Sequence, residues 1–420
     1  MIKEIQRICK PARRAERRES VYPKLGTRTW QTCVRSHDME LVTKAAEKNI
    51  GEELPECFGV ILDDCTFGSK HYMTAYDCYK HNGARRCPLI SMAPVINVVK
   101  WQLAYGNKGL IDGMYPYGCA CRVSALFGKS LAYVKFLVGD NCAVNKRLAR
   151  LMEALLVGCA SHRLNLAVRN FLAPCEEELD QVQLLIKHLR TIKQAAKLRY
   201  TSLKPKLRQE TRWWSTYSML VRYFELREFL SADDKDIADV LPTPAVHCKL
   251  RVLKEQLSDV ESVSKKLQSD DLNLLDARAN LLDGLLEIQP SFASYLEPNA
   301  GIVHSPDFES GVVKRLSRGE RAELQPLKKP SKPSAPAPEP TKMGFADRIL
   351  KRRRTQSTSC EYGLLDVIPP TSNIVERLFS SASMMLRYER SRLSPFTLEM
   401  ILFLRVNDAF WDVASYNQAR

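Results

Sequence analysis

Apolar runs separated by turn residues dominate the chain between residues 58 and 98. FGVILDD begins at Phe58, HYMTAYDCY begins at His71 after the turn residues Gly68 and Ser69, and PLISMAPVINVV begins at Pro88. These runs have the length and the β-branched and aromatic content of strands. Because the connections between them are short, we predict that the three strands form an antiparallel meander.

Strands and helices are both predicted between residues 37 and 173. We expect an amphipathic helix over residues 37–52, and in VSALFGKSLAYVKFLVGDN a helix that leads into a buried strand ending at Asp140. A helix over residues 141–156, the short strand VGCAS and the helix SHRLNLAVRNFL follow. Residues 100–121 are rich in glycine and aromatic residues and show neither period clearly. The pattern as a whole predicts an α/β unit with a mixed sheet.

After Pro174 the apolar residues recur at helical spacing, and strand signals almost disappear. QVQLLIKHLRTIKQAAKL, STYSMLVRYFELREFL and KLRVLKEQLSDVESVSKKL each show this spacing, which predicts a helical block over roughly residues 175–320. The stretch QPLKKPSKPSAPAPEPTK, residues 325–342, is dense in proline and lysine. We predict that it forms an extended linker.

Two helices are predicted near the C-terminal end. The first opens at Asn373 and runs through Arg387, and the second starts at Ser394 with Pro395 in its first turn. Within the second helix, TLEMILFLRVNDAFW is apolar on nearly every side, so it needs more than one covering surface. It either passes through the core or forms a subunit interface, and the pattern favours neither.

Composition and charge narrow the class of protein. The chain has 420 residues, of which 45% are hydrophobic, enough to bury a sizeable core in two to three domains. Its 63 Lys and Arg against 48 Asp and Glu give a net charge of +15, which favours a polyanionic partner, with nucleic acid the leading candidate. The sequence shows no membrane-spanning run and no apolar stretch of a signal peptide, so we expect no membrane partner.

Two further groups of residues bear on partners and metals. The basic cluster Lys351, Arg352, Arg353 and Arg354 is typical of a nuclear-import signal or of phosphate contacts, and the alternative is a solvated helix end. The chain has 13 cysteines, an odd number without a secretory signal, so a disulfide framework is not expected. Short-spaced zinc candidates are Cys119 with Cys121, Cys159 with His162, and His247 with Cys248. None completes a four-ligand pattern, and no zinc is expected.

Three acidic residues stand in contexts that could direct their carboxylates to one point. Asp63 and Asp140 end buried strands, and Glu376 lies where a helix opens. A capping box with Asn373 is the alternative explanation for Glu376. Three such carboxylates could hold two divalent cations for phosphodiester chemistry.

Several separate strings resemble hAT-superfamily DNA transposases, and they occur in that family's order. They are VGDNCAVNKRLARLM, VGCASHRLNLAV, TRWWSTYSMLVRYFELREFL, IPPTSNIVERLFS and RSRLSPFTLEMILFLRVN, and together they span most of residues 55–413. The resemblance implies an α/β fold in which an RNase H-like mixed sheet is interrupted by a large all-helical insertion and followed by a C-terminal helical hAT dimerisation region. The implied organisation is a basic tail and lead-in helix over 1–54, the first part of the core over 55–173, the insertion over 174–324, a linker with the basic cluster over 325–360, and core completion with the dimerisation region over 361–420.

The resemblance also implies roles for individual residues. Asp63, Asp140 and Glu376 match the catalytic carboxylates, which in an active protein would bind Mg²⁺ or Mn²⁺. His162 matches a position near phosphate, with a helix-start histidine as the alternative. The implied DNA contacts also include Arg212, Trp213 and the basic cluster at residues 351–354. At least one of Trp213 and Trp214 is nevertheless expected in the core. Dimerisation through Ile401, Leu402, Leu404 and Val406 would give a homodimer or higher oligomer, bound to DNA in the nucleus.

The chain departs from the family at three places. No paired cysteines and histidines at BED zinc-finger spacing precede Phe58, the string Asp63–Asp64–Cys65–Thr66 replaces the family's D-G-W-T, and residues 100–121 do not resemble the family there. Asp64, which directly follows Asp63, is the alternative candidate for the first carboxylate of the family's site. We therefore expect a degenerate or truncated copy, a nucleic-acid-binding protein with impaired or lost catalysis. The alternative is an active metal-dependent DDE transposase that cleaves DNA, forms hairpins and transfers strands. An RNase H-like nuclease acting on RNA would not explain the insertion.

Overall fold

The structure is a computed structural model that describes residues 36–67, 70–94, 129–209, 212–231, 234–270, 272–297, 300, 345–347, 350, 367–388 and 394–412. These residues belong to two compact units. The first unit includes the described residues up to Cys159 and from residue 367 onward, and the second includes those from Ala160 to 300 and from 345 to 350. The expectations for residues 1–35, 100–121 and 325–342 and for Lys351–Arg354 lie outside the described residues.

The first unit contains six strands and four helices among the described residues. The strands are β1 (Phe58–Phe67), β2 (Lys70–His81), β3 (Ala84–Arg86), β4 (Leu89–Pro94), β5 (Val134–Gly139) and β6 (Leu155–Gly158). The helices of the described chain, in order, are α1 (Ser36–Glu53), α2 (Ala143–Met152), α3 (Ala160–Leu172), α4 (Glu176–Leu189), α5 (Ile192–Lys197), α6 (Trp213–Arg227), α7 (Lys235–Ala238), α8 (Pro244–Leu267), α9 (Leu274–Asp276), α10 (Asp283–Ile288), α11 (Ala293–Leu296), α12 (Asn373–Tyr388) and α13 (Pro395–Val406). A π-helical turn, Ala277–Leu282, joins α9 to α10.

The six strands form one mixed sheet in the order β3-β2-β1-β5-β6, with β4 also paired to β2. β1, β2 and β4 pair antiparallel, as the short connections predicted, whereas β1 with β5 and β5 with β6 pair parallel. The predicted α/β class with a mixed sheet is confirmed. The parallel half of the sheet brings the ends of β1 and β5 to the same edge.

Side chains on each strand alternate between two faces of the sheet. We call the face that carries Asp63 and its cross-strand partner Thr74 the front face, and the face that carries Asp64 and Met73 the back face. Helix α12 packs on the front face, where the rings of Phe67 and Phe379 lie 6.2 Å apart. On the back face, the hydroxyl of Tyr79 donates to Glu53 of α1 at 2.8 Å, and the hydroxyl of Ser91 donates to Glu399 of α13 at 3.2 Å.

The helix predicted over residues 141–156 is shorter in the structure. Cys142 caps the start of α2, and Glu153 ends it by adopting the left-handed backbone conformation at φ 52°. Leu155 and Leu156 then pair with β5 as part of β6. Their apolar side chains fit either period, and only the parallel pairing decides that they belong to a strand. The helix predicted before β5 falls partly outside the described residues, and the described part contains the 3₁₀ turn Leu131–Tyr133.

Both C-terminal helices lie close to their predicted positions. Ser394 caps α13 by accepting a hydrogen bond from the amide of Thr397, and Pro395 occupies the first turn. Helix α13 packs against β4 and α1, and its side chains from Met400 to Leu404 are buried. The apolar character on all sides of this helix is therefore explained by the chain's own core.

The side chain of Asn407, just after α13, joins that helix to the sheet. It accepts a hydrogen bond from the amide of Leu89 at 3.0 Å and donates one to the carbonyl of the same residue at 2.8 Å. Asn407 is 1% exposed, so the two backbone groups of β4 have no access to solvent at this point.

Substituting Asn407→Ala is expected to lower the free energy of unfolding by about 2 kcal/mol, because it leaves a buried amide and a buried carbonyl unpaired. Urea denaturation followed by circular dichroism measures the change. Asn49→Ala is the matched control, since the Asn49 side chain makes one half-buried hydrogen bond, to the carbonyl of Phe410 at 2.9 Å. Equal losses for the two variants would contradict the bridging role of Asn407.

The secondary structure of the second unit's described residues is helical, as the apolar spacing predicts, apart from an isolated β-bridge between Gln209 and Arg212. The single helix expected in QVQLLIKHLRTIKQAAKL is divided into α4 and α5. Buried leucines from α3, α4, α6 and α8 form its core. Within it, the fully buried Arg163 donates from Nε to the carbonyl of Tyr295 at 2.6 Å and from Nη2 to that of Glu297 at 2.8 Å. Among the residues that the structure describes, no helix combines the length and apolar character needed to cross a membrane.

Candidate carboxylate site

The register of the parallel strands brings Asp63 and Asp140 to the same level of the sheet. Ile61 of β1 pairs with Val138 of β5, so two residues further along, Asp63 and Asp140 lie side by side on the front face. The strands approach closely here, since a Cβ atom added at Gly139 would lie 3.1 Å from the carbonyl oxygen of Leu62. Asp140 follows the last residue of β5, and the Asn145 side chain donates to its carbonyl at 3.0 Å.

The segment before α12 carries the third carboxylate to this edge. The hydroxyl of Ser372 donates to Oδ2 of Asp63 at 3.4 Å, and the Ser372 amide donates to Sγ of the buried Cys159 at 3.4 Å. These contacts hold the start of α12 beside the end of β1. Glu376, in the first turn of that helix, is exposed.

Burial and the neighbouring carboxylates both act on the ionisation of Asp63. The pKa of Asp63 is raised from 3.8 to about 7, chiefly by burial and next by the negative charge of Asp140, with Glu376 and Asp64 adding smaller repulsions. The amide of Asp64, which donates to Oδ1 of Asp63 at 2.9 Å, acts in the opposite direction. The three residues that sequence patterns selected are therefore brought together on one face of the first unit.

This cluster suits a divalent cation by its donor chemistry. Carboxylate oxygens are the ligands that Mg²⁺ and Mn²⁺ prefer. Burial is the main cause of the raised Asp63 pKa, and a cation would offset the repulsion from Asp140 and Glu376 that adds to it. In the described parts of the chain, no three His, Cys, Asp or Glu side chains already have the spacing of a complete metal-ligand set. The fit of the site to a cation therefore rests on the type and charge of its donors.

Asp64 faces away from the cluster. It lies on the back face, where its Oδ2 is 2.7 Å from Nε2 of His71, and His71 Nδ1 is 3.0 Å from the hydroxyl of Thr66. Of the two adjacent acids that left the register open in the sequence, Asp63 is the one beside Asp140. Strand alternation alone accounts for the difference.

Polar residues that sequence reasoning missed surround the cluster. Ser372 contacts Asp63 directly, and Thr74, directly opposite Asp63, has a buried hydroxyl without a hydrogen-bond partner among the described residues. The Asn141 side chain packs over Gly158, where an added Cβ would lie 2.0 Å from Asn141 Nδ2. Both polar atoms of that amide are buried and lack a described partner. In the sequence, the position of Asn141 next to Asp140 was the feature that could have identified it as a residue of the site.

A second buried acid, Asp77, lies on the back face and is not part of the cluster. Burial holds its pKa well above the usual range for a carboxylic acid, and neither carboxylate oxygen has a hydrogen-bond partner among the described residues. The described residues offer no compensating interaction for this burial.

The sequence-predicted DNA contacts of the described chain belong to the second unit. Trp213 is 5% exposed and packs in the helical core, with its ring 6.5 Å from that of Tyr217. Trp214 is 54% exposed, and its Nε1 donates to Glu261 at 3.1 Å. Trp213 is thus the core tryptophan that the sequence left open, and Trp214 presents a ring to solvent. Arg212 is exposed before α6, and His162 is half-buried near the start of α3.

The residues expected to form a dimer lie mostly inside the chain. Ile401, Leu402 and Leu404 are at most 5% exposed, and Val406 is half-buried. A charged substitution at Leu402 would therefore disrupt the core instead of testing dimerisation. Exposed apolar side chains on the same two C-terminal helices are Met384, at 55%, and Phe396, at 56%.

His247, one of the short-spaced zinc candidates, is engaged by other side chains. Its Nδ1 lies 2.9 Å from the Tyr223 hydroxyl, and its Nε2 lies 3.1 Å from Nη2 of Arg251. Burial and the nearby arginines lower its pKa.

Comparison of the chain with protein-family models and with curated proteins gives no match to either.

Proposed function

We propose that this chain is a hAT transposase-like nucleic-acid-binding protein, derived from a DDE cut-and-paste transposase, whose carboxylate cluster binds divalent cations but whose catalysis is impaired or lost. The observation that carries the proposal is the convergence of Asp63, Asp140 and Glu376 on the front face of the sheet. Three acids separated by 77 and 236 positions meet only if the fold requires it. The net charge of +15 supports a polyanionic partner.

The sheet topology supports an RNase H-like core for the first unit. A meander of three antiparallel strands is followed by two parallel strands added beside β1, and the acids stand at the ends of the central strands β1 and β5. A separate helical unit lies between β6 and α12 in the sequence, which agrees with the proposed insertion. The proposal thus accounts for the chain order of both units.

The first unit's own residues supply the parts of a cation site. Asp63, Asp140 and Glu376 would hold the cations, and a bound pair of divalent ions supplies an activated oxygen nucleophile and stabilises the leaving oxygen. Ser372 orients Asp63 by donating to its Oδ2, and the Asp64 amide fixes the other oxygen. The Asn145 amide holds the backbone at Asp140. Of the two adjacent tryptophans in the second unit, Trp214 is the one whose exposed ring could stack on a base.

The proposal includes further partners. It places the protein on DNA in the nucleus, with the cluster Lys351–Arg354 as an import signal or a phosphate contact. It also includes a homodimer or higher oligomer, for which Met384 and Phe396 are the exposed apolar contacts in the described C-terminal region.

An active DDE transposase is the second candidate, and the retained cluster is the observation that favours it. Impaired catalysis is favoured by the altered string after Asp63, where Asp64 adds a further negative charge. The two candidates share DNA and cation binding, and they differ only in product formation.

The test uses purified full-length protein, Mn²⁺ and a pre-nicked DNA duplex. We expect the protein to bind the duplex at low salt with affinity that falls as salt rises. Saturating Mn²⁺ is expected to raise the free energy of unfolding by about 2.7 kcal/mol when present at a hundred times its dissociation constant. Asp140→Asn should remove the Mn²⁺ effect and keep DNA binding, whereas Asp64→Asn, the neighbouring acid on the back face, should keep both.

Product analysis then separates the two candidates. Hairpin or strand-transfer products from the unmodified protein, absent with Asp140→Asn, would establish the active transposase. If no product forms while the protein still binds DNA and Mn²⁺, the result supports impaired or lost catalysis. Absence of DNA binding at low salt would reject both candidates.

A further inference from the structure

Two cysteines lie opposite each other along the antiparallel pairing of β2: Cys78 is in β2, and Cys87 lies in the short gap between β3 and β4. Tyr79 pairs with Arg86 and Tyr76 pairs with Leu89, so the same register places Cys78 opposite Cys87. The amide of Asp77 donates to the carbonyl of Pro88 at 3.1 Å, which makes residues 77 and 88 a hydrogen-bonded pair. Hydrogen-bonded and non-hydrogen-bonded pairs alternate, so Cys78 and Cys87 form a non-hydrogen-bonded pair.

That type of pair has the spacing of a disulfide. Opposite residues in non-hydrogen-bonded positions have Cα atoms about 4.5 Å apart, and disulfides span Cα distances of roughly 4.4–6.8 Å. Cys78 and Cys87 are both free cysteines, and the neighbouring Cys87 side chain raises the pKa of Cys78. Joining them therefore requires little movement of the backbone.

The two thiols differ in access and in the contacts they make. Cys87 is half-buried, whereas Cys78 is fully buried and its thiol donates to the carbonyl of Val367 at 3.6 Å. The hydrogen bond to Cys87 and burial hold the pKa of Cys78 well above its usual range. Cys87 is therefore the thiol that an oxidant reaches first, and Cys78 is placed to resolve the product.

We propose that Cys78 and Cys87 form a reversible oxidation site that a hydroperoxide converts to a disulfide, and that this conversion releases the segment anchored at Val367. The Cys87 sulfur attacks the terminal peroxide oxygen, the O–O bond breaks, and Cys87 becomes a sulfenic acid while water or an alcohol leaves. The Cys78 sulfur then attacks the Cys87 sulfur, the S–O bond breaks, and a second water carries away the Cys78 proton. Two thiols are oxidised and one peroxide is reduced.

Oxidation changes a contact that leads to the carboxylate site. A cystine has no S–H group, so the buried carbonyl of Val367 loses its donor. Val367 begins the segment that carries Ser372 and the start of α12. The disulfide therefore loosens the segment that holds Ser372 against Asp63. This inference rests on the thiol geometry and stands whether or not the proposed function is correct.

The test treats the full-length protein with hydrogen peroxide, blocks remaining thiols by alkylation, and maps tryptic peptides. We expect peptides 71–80 and 87–100, each with a single cysteine, to be recovered as a cross-linked species lacking two hydrogens, which dithiothreitol separates. Cys87→Ser should lose this species, and the matched variant Cys142→Ser, at an exposed cysteine, should keep it. Full alkylation of both cysteines after peroxide, with Cys142 oxidised, would overturn the proposal.

Hydrogen exchange tests the release of the segment. In the oxidised protein, the amides of Ser372 and Val375 should exchange about tenfold faster, the factor expected for one lost hydrogen bond, and dithiothreitol should restore the slower rate. Cys78→Ser keeps a donor for the Val367 carbonyl and should show no peroxide effect. A cross-linked protein with unchanged exchange over residues 367–376 would refute the coupling to Val367.

Discussion

Replacing Asp63 with asparagine is expected to stabilise the metal-free protein at neutral pH by up to about 4 kcal/mol, the free energy that corresponds to a pKa shift from 3.8 to about 7. The unfolded chain ionises Asp63 near its ordinary pKa, whereas the folded protein retains the proton until about pH 7. The unmodified protein therefore loses stability as pH rises from about 4 to about 7 and loses no more above that. Asparagine keeps an oxygen for the Asp64 amide and removes the charge.

Urea denaturation in EDTA from pH 4 to pH 8 measures this effect. The two proteins should be nearly equally stable at pH 4 and should diverge up to about pH 7. Asp64→Asn is the control, because its side chain is exposed and pairs with His71, and it should change stability by less than about 1 kcal/mol. If the free energies of unfolding of the unmodified protein and of Asp63→Asn differ by the same amount at every pH, the pKa of Asp63 is not raised in the folded protein.

Gly59→Ala is expected to destabilise the protein by about 3 kcal/mol, at the upper end for overpacking. A Cβ atom at this position would lie 2.0 Å from the ring of Phe136, its partner across the parallel strands. Phe136 is 1% exposed, so its ring lies inside the core. The change also strains the β1–β5 pairing that aligns Asp63 with Asp140, so Mn²⁺ binding should weaken together with stability.

Two variants separate steric overlap from a general effect of removing glycine. Gly83 has φ +81° and open space where a Cβ atom would project, so Gly83→Ala should cost only about 1 kcal/mol from backbone strain. Combining Gly59→Ala with Phe136→Leu should recover part of the lost stability, because the smaller side chain vacates the ring position. Thermal denaturation of the single and double variants measures this recovery. If the loss of stability in the double variant equals the sum of the losses in the two single variants, the steric overlap is contradicted.

Much of the fold was predictable from the apolar pattern. The meander between Phe58 and Pro94, the amphipathic α1 and the two C-terminal helices follow from local periodicity and from caps such as Ser394. The boundary between α2 and β6 was not, because Leu155 and Leu156 fit both periods and parallel pairing to β5 is a long-range choice. The role of α13 was also open, since apolar residues on all sides need covering surfaces whose identity the helix itself does not specify.

The same division applies to the candidate site. The sequence selected Asp63, Asp140 and Glu376 from their local contexts, but it could not choose between Asp63 and Asp64 without the strand register. It also could not choose between Trp213 and Trp214, because the exposure of adjacent helical residues depends on which side of the helix meets the core. Ser372 and Cys78 escaped notice, since their importance lies in contacts with residues distant along the chain.

The sequence by itself determined the chemical character of this protein: its excess of basic residues, its mixed α/β and helical blocks, and three carboxylates with the contexts of strand ends and a helix start. Only the tertiary structure decided which groups act on one another. Parallel pairing of β1 with β5, together with the Ser372 contact, concentrates like charges where burial weakens their solvation, and this raises the Asp63 pKa to about 7. Local sequence specifies each element through short-range periodicity, whereas charge repulsion and burial depend on distances that exist only after the elements have packed.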